Sequence, residues 1–201
     1  MVISMGRKKT SSGNKLKLKI DYNSPVVLSF AFISFAALIL DYITRGTTNT
    51  LFFSVYRSSL LNPLSYVRAF GHVLGHANFE HYIGNMLTFL LVGPMLEEKY
   101  GSKAMLECMC VTAVVTAIIN CLLFPHSALL GASGIVFMMI IMSSVVSLKN
   151  GYIPLTLIVV VILYLGNQVL QGIFSQDNIS QLTHIVGGVL GGVFGIVLQK
   201  D

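Results

Sequence analysis

Six stretches of the chain are apolar on every face, and polar residues gather between them or at their ends. They run over about 25–43, 79–97, 103–124, 132–148, 152–173 and 182–199. Each approaches the roughly 20 residues that an α-helix needs to cross a bilayer, and none shows the period-two alternation of a membrane β-barrel strand. The pattern predicts an all-α, polytopic membrane protein with six transmembrane helices, because a helix satisfies its own backbone hydrogen bonds in hydrocarbon. Short connections predict antiparallel neighbours within one domain over 24–201. The one long connection, about 45–78, alternates Leu51-Phe52-Phe53, Leu60-Leu61 and Tyr66 with polar residues, so it is expected to lie partly in the membrane interface. Residues 1–23 are polar, basic and rich in Ser and Gly, the composition of a disordered tail.

Composition agrees: 54% of residues are hydrophobic, 10% are charged, and the mean hydropathy is +0.77. The net charge of +5 does not point to nucleic acid. Arg7, Lys8, Lys9, Lys15, Lys17 and Lys19 precede the first stretch, and Lys99, Lys103, Lys149 and Lys200 fall on the same side of a six-span topology. Only Arg45, Arg57 and Arg68 fall on the other, so both termini are expected in the cytoplasm. The first stretch ends at Asp41-Tyr42 without a small-x-small cleavage site and reads as an uncleaved span rather than a signal peptide. Cys108, Cys110 and Cys121 share the third stretch without a disulfide or zinc spacing and read as small packing residues.

Three polar groups open apolar stretches. His81 and Asn85, four apart, share a face at the start of the second stretch. Alone they could be interhelical hydrogen-bond glue. Gly131-Ala132-Ser133-Gly134 opens the fourth, so Ser133 sits where free backbone N–H groups can stabilise an oxyanion, and the flanking glycines admit another backbone. His184 opens the sixth and is followed by Gly187, Gly191 and Gly195 on nearly one face, a spacing that lets helices touch backbone to backbone. Packed against the fourth stretch, that face would bring His184 to the depth of Ser133, a nucleophile with its base.

Other chemistries fit less well. His72, His76 and His81 lack a His-Glu-x-x-His pattern or a suitable carboxylate, so no metal or other cofactor is expected. Aspartyl proteolysis would need two buried Asp, yet Asp41, Glu97, Glu98 and Glu107 lie at the ends of stretches. Position 135 is Ile, not the second Gly of a hydrolase elbow. A channel would need a continuous polar path, and the stripe Thr112, Thr116 and Asn120 reads as interhelical packing. Asp177 reads as a solvated loop carboxylate rather than a triad member, and the sequon Asn178-Ile179-Ser180 carries little weight.

Over roughly residues 66–195 the chain resembles the rhomboid intramembrane serine proteases. The resemblance rests on His76, His81 and Asn85, on Glu97 and Gly101, on Gly131, Ser133 and Gly134, and on His184, Gly187 and Gly191, in that order along the spans. Two positions depart from it: Val67-Arg68 stands where many members have Trp-Arg, and Phe137 where many have Tyr stacked on the histidine. The resemblance implies a six-helix rhomboid-like bundle in which Ser133 attacks a peptide carbonyl and His184 moves the proton. It implies an oxyanion hole made by the Ser133 backbone N–H, Asn85 and His81, with Phe137 stacking on His184 and Gly131, Gly134, Gly187 and Gly191 packing the site. It further implies single-span membrane protein substrates, a site open to the extracytoplasmic side, a cap over 174–181 and a lateral gate in the fifth stretch. The alternative within the resemblance is a catalytically silent relative that binds membrane helices.

Overall fold

The computed structural model describes residues 22–145 and 178–198, with Leu155, Ile158, Val159 and Ile162 between them. All but the last two residues of the expected tail, nearly all of the fifth stretch, and Asp177 lie outside the described residues. Among the described residues the chain folds as α1 (Pro25–Ile43), a π-helical turn (Asn49–Phe53), α2 (Pro63–Gly71), α3 (Phe79–Tyr100), α4 (Ser102–Leu123), α5 (Ser133–Val145) and α6 (Asn178–Val197). Five of the six apolar stretches are therefore represented by a helix, and α1 and α4 are each long and apolar enough to cross a membrane. Helix α6 starts before residue 182, so the end of the expected cap is helical and the sequon falls in the first turn.

Local chemistry sets the helix ends. Asn78 caps α3 by accepting the His81 N–H at 2.8 Å, which puts His81 in the first turn. Gly101, at φ +84, is the single residue between α3 and α4, in a conformation that favours glycine. Helix α2 was not expected. It opens on Asn62, whose side chain accepts the Leu64 N–H at 3.0 Å, and on Pro63 at the first helical position. Its nine residues are too few for a periodic signal.

Helix α5 is the central element: nine of its thirteen residues are buried, and it touches α3, α4 and α6. Met138, Met139 and Met142 fill the core beside Phe89, Leu96 and Met105. Helix α1 packs on α3, with Phe30 stacked on Phe89 at 4.8 Å between ring centroids and the Tyr82 hydroxyl donating to the Ala31 carbonyl at 3.1 Å. Glu97, only 3% exposed, accepts the N–H groups of Val26 and Val27 at 3.0 and 2.9 Å and the Ser102 hydroxyl at 2.7 Å. It thereby caps the positive end of α1 from a different helix. The outward faces carry Phe32, Ile43, Leu87, Leu91, Leu106 and Leu122, all exposed, an exterior matched to hydrocarbon rather than water.

Candidate active site

The segment before α5 is held by backbone bonds to the long connection. Val55 and Leu129 exchange both N–H···O bonds at 2.9 Å, and the Gly131 N–H donates to the His72 carbonyl at 2.9 Å. Asn120 donates to the carbonyls of Val55 and Ser127 at 3.2 and 3.3 Å. Gly131 takes φ +125, and a Cβ there would lie 2.8 and 3.0 Å from the Cε1 and Nε2 positions of His81 and 4.0 Å from Asn85 Nδ2. Two independent reasons thus require glycine: the dihedral, and the imidazole packed on its α-carbon. The Asn85 amide nitrogen is buried and has no hydrogen-bond partner among the described residues, which leaves a donor beside Gly131 available to a ligand.

On the other side of Ser133 stands α6. A Cβ at Gly134 would sit 3.1 Å from Thr183 Cγ2, a Cβ at Gly187 would run into the Gly134 carbonyl, and one at Gly191 into the Met138 carbonyl. The glycine face of α6 therefore packs on α5 backbone to backbone, as its spacing predicted. His184 lies next to Thr183 and stacks flat on Phe137, with 4.2 Å between ring centroids and 4° between planes. Phe137 is one helical turn beyond Ser133, so His184 and Ser133 occupy the same end of the α5–α6 pair. Both are half-buried.

Two histidines stand behind this arrangement. His72 is 1% exposed, with Nδ1 3.2 Å from the Arg68 carbonyl and Nε2 3.3 Å from the Thr116 hydroxyl. Burial pulls its pKa down to about 4, so the ring is neutral at physiological pH. A neutral ring facing a carbonyl carries its proton on Nδ1, which leaves Nε2 an acceptor beside the Thr116 hydroxyl, itself 2.8 Å from the Thr112 carbonyl. His76, fully buried, is likewise lowered to about 4, first by burial and then by His81, whose ring lies 5.2 Å away. The Asn49 side chain donates to the His76 carbonyl at 3.0 Å and to the Asp41 carboxylate at 2.9 Å. Among the described residues no three His, Cys, Asp or Glu side chains are arranged to hold a metal ion.

A family model, the Rhomboid domain, matches residues 63–201. The chain belongs to the rhomboid family. It is also 27% identical over 196 residues to the rhomboid protease GluP of Bacillus subtilis (strain 168), a match covering 92% of this chain and 37% of that protein. The chain thus spans well under half the length of that relative. Every site residue expected from the rhomboid resemblance and described in the structure gathers at one end of the bundle: His81, Asn85, Gly131, Ser133, Gly134, Phe137, His184 and Gly187, with Gly191 one turn further along the seam. Phe137 keeps the stack without the hydroxyl. Arg68 is buried, its Nε donating to the Leu51 carbonyl at 3.0 Å and its guanidinium 4.4 Å from the Tyr56 ring centroid.

The supporting residues His72, Asn120, Asn49 and Val55 were not singled out from sequence as parts of the site. The stripe Thr112, Thr116 and Asn120 is buried, as interhelical packing requires, with Thr116 Cγ2 close to Gly134. Thr112 and Thr116 donate within α4 to Cys108 and Thr112, Thr116 also meets His72, and Asn120 holds the loops. Gly71 and Gly75 were the available signal, since a Cβ at either would meet a backbone carbonyl of Phe52 or Phe53.

Proposed function

We propose that the chain is an intramembrane serine endopeptidase with a six-span rhomboid bundle, cutting single-span membrane proteins. The observation that carries this reading is that one short segment, Gly131–Gly134, is flanked on one side by His81 and the unpartnered Asn85 amide and on the other by the residues around His184. Ser133 Oγ attacks the scissile carbonyl as His184 takes its proton, and the C–N bond of the tetrahedral intermediate breaks as His184 returns that proton to the leaving amine. Water then hydrolyses the acyl-enzyme by the same route in reverse. The oxyanion is held by the Ser133 N–H, Asn85 and His81, and loss of one such donor costs roughly 10²–10³ in rate. The stack on Phe137 holds the His184 ring, and the glycine seam holds its helix. Both termini are cytoplasmic and the site opens extracytoplasmically, from the distribution of basic residues.

Labelling of the detergent-purified protein with a fluorophosphonate tests the reading. The wild type is expected to label at Ser133, while Ser133→Ala and His184→Ala lose labelling and keep the wild-type melting profile. Persistent labelling in either variant would remove the dyad. A folded wild type that neither labels nor cleaves a membrane substrate would instead mark a silent helix-binding relative.

A further inference from the structure

Between the long connection and the C-terminal half of α4 lies a groove of about 780 Å³. Its walls are apolar, formed by Val55, Ala69, Phe70, Ala117, Ile118 and Leu122. Ile118, Leu122, Tyr66 and Phe70 are also exposed, so the apolar lining continues onto the outer surface. Arg57 lines the groove as well, is exposed, and makes no ion pair among the described residues. The backbone N–H groups of Tyr56, Arg57 and Ser58, in the irregular segment after Val55, donate to no described residue. The rim therefore offers a guanidinium and backbone N–H donors, beside the Ser58 and Ser65 hydroxyls that pair with each other at 2.8 Å, above walls that suit hydrocarbon.

We propose that this groove is a binding site for an anionic phospholipid, its phosphodiester on Arg57 and the adjoining N–H groups and its acyl chains against α4. Charge complementarity selects this occupant. A guanidinium pairs with phosphate through directed N–H donors, and one basic residue near an anionic lipid surface contributes about fivefold in binding. A second groove, of about 440 Å³ between α1 and α4, supplies the contrast, since its lining includes Phe30, Ile33, Met109 and Cys110 but no charged residue. The proposed lipid lies against Val55, which pairs with Leu129 just before Gly131, so it braces the backbone pair that positions the serine segment. The proposal holds whether or not the chain is a protease.

Cys121 lines the first groove and Cys110 the second, and both are half-buried. Two full-length variants, one retaining only Cys121 and one only Cys110, are reacted with N-ethylmaleimide in maltoside micelles containing phosphatidylglycerol or phosphatidylcholine. Phosphatidylglycerol is expected to slow labelling of Cys121 at roughly one-fifth of the phosphatidylcholine concentration. That preference is expected to vanish in Arg57→Gln, survive in Arg57→Lys and be absent at Cys110. Equal protection by both lipids, no protection, the same preference at Cys110, or a preference that survives Arg57→Gln would each overturn the proposal. The comparison of the two lipids on an unchanged Arg57 remains decisive if Arg57→Gln fails to fold.

Discussion

The two ends of the helical bundle treat their buried ionisable groups differently. At the Glu97 end the buried charge is matched: one carboxylate accepts three donors, and its helices are locked by the Phe30–Phe89 stack and by Val27 against Gly93, while the Ser24 and Tyr100 hydroxyls lack partners among the described residues. At the Ser133 end His72 and His76 are neutral, the Asn85 amide nitrogen and His76 Nε2 lack partners among the described residues, and helices meet through glycine backbones. A buried donor without an acceptor costs on the order of 1–3 kcal/mol, and at the Ser133 end the unpartnered Asn85 amide lies beside Gly131, where a ligand can use it. The end built around Glu97 is the support that lets the Ser133 end persist.

The sharpest way to break this contrast is Gly187→Val. Its side chain would enter the Gly134 carbonyl, and backbone cannot yield as a flexible side chain can. We expect loss of fluorophosphonate labelling together with a clear fall in melting temperature in detergent. Wild-type values for both would show that the α5–α6 seam is not as described. Acid is the next lever, because it acts on the neutral histidines. A histidine whose pKa is about 4 when folded and 6.5 when unfolded binds more protons unfolded, so stability is complete above pH 6.5 and declines as pH falls toward 4. For His72 the full loss is on the order of 3 kcal/mol. Melting followed from pH 7.5 to 4 should show this decline, with a shallower slope in His72→Asn. A flat profile in the wild type would mean that His72 is not held neutral by burial.

Side chains with a spacing to read were found from sequence; backbone partners were not. The apolar runs located α1, α3, α4, α5 and α6 because burial or lipid contact on all sides needs apolar residues throughout. The seam was visible because glycines three to four apart on one helix have few other uses, and the Phe137–His184 stack was expected only from the rhomboid resemblance. What holds the serine segment in place could not be read in this way. The Gly131 N–H to His72 carbonyl bond and the Val55–Leu129 pair join main-chain groups that every residue but proline carries, so no residue type marks them. The tilt of the long connection toward helix in α2 was missed for a related reason, since Asn62-Pro63 was the one local sign and nine residues hold too little periodicity to confirm it.

Glu97 shows the same limit and supplies the mildest test. Its place in the Glu-x3-Gly pattern drew notice, but its partners Val26 and Val27 lie about 70 residues away and donate through their backbones. Glu97→Gln keeps the size of the side chain while replacing one acceptor oxygen with an NH₂ that faces N–H donors. Hydrogen bonds to a charged acceptor contribute roughly 1.5–3 kcal/mol, so the variant is expected to lose about 2 kcal/mol of stability, seen as a lower melting temperature in detergent. Because this end holds no part of the proposed dyad, fluorophosphonate labelling well below the melt should stay at the wild-type rate. A labelling defect without a stability defect would mean that the two ends are coupled more tightly than their separate chemistry implies, and that the α1 cap positions Ser133 rather than only supporting it.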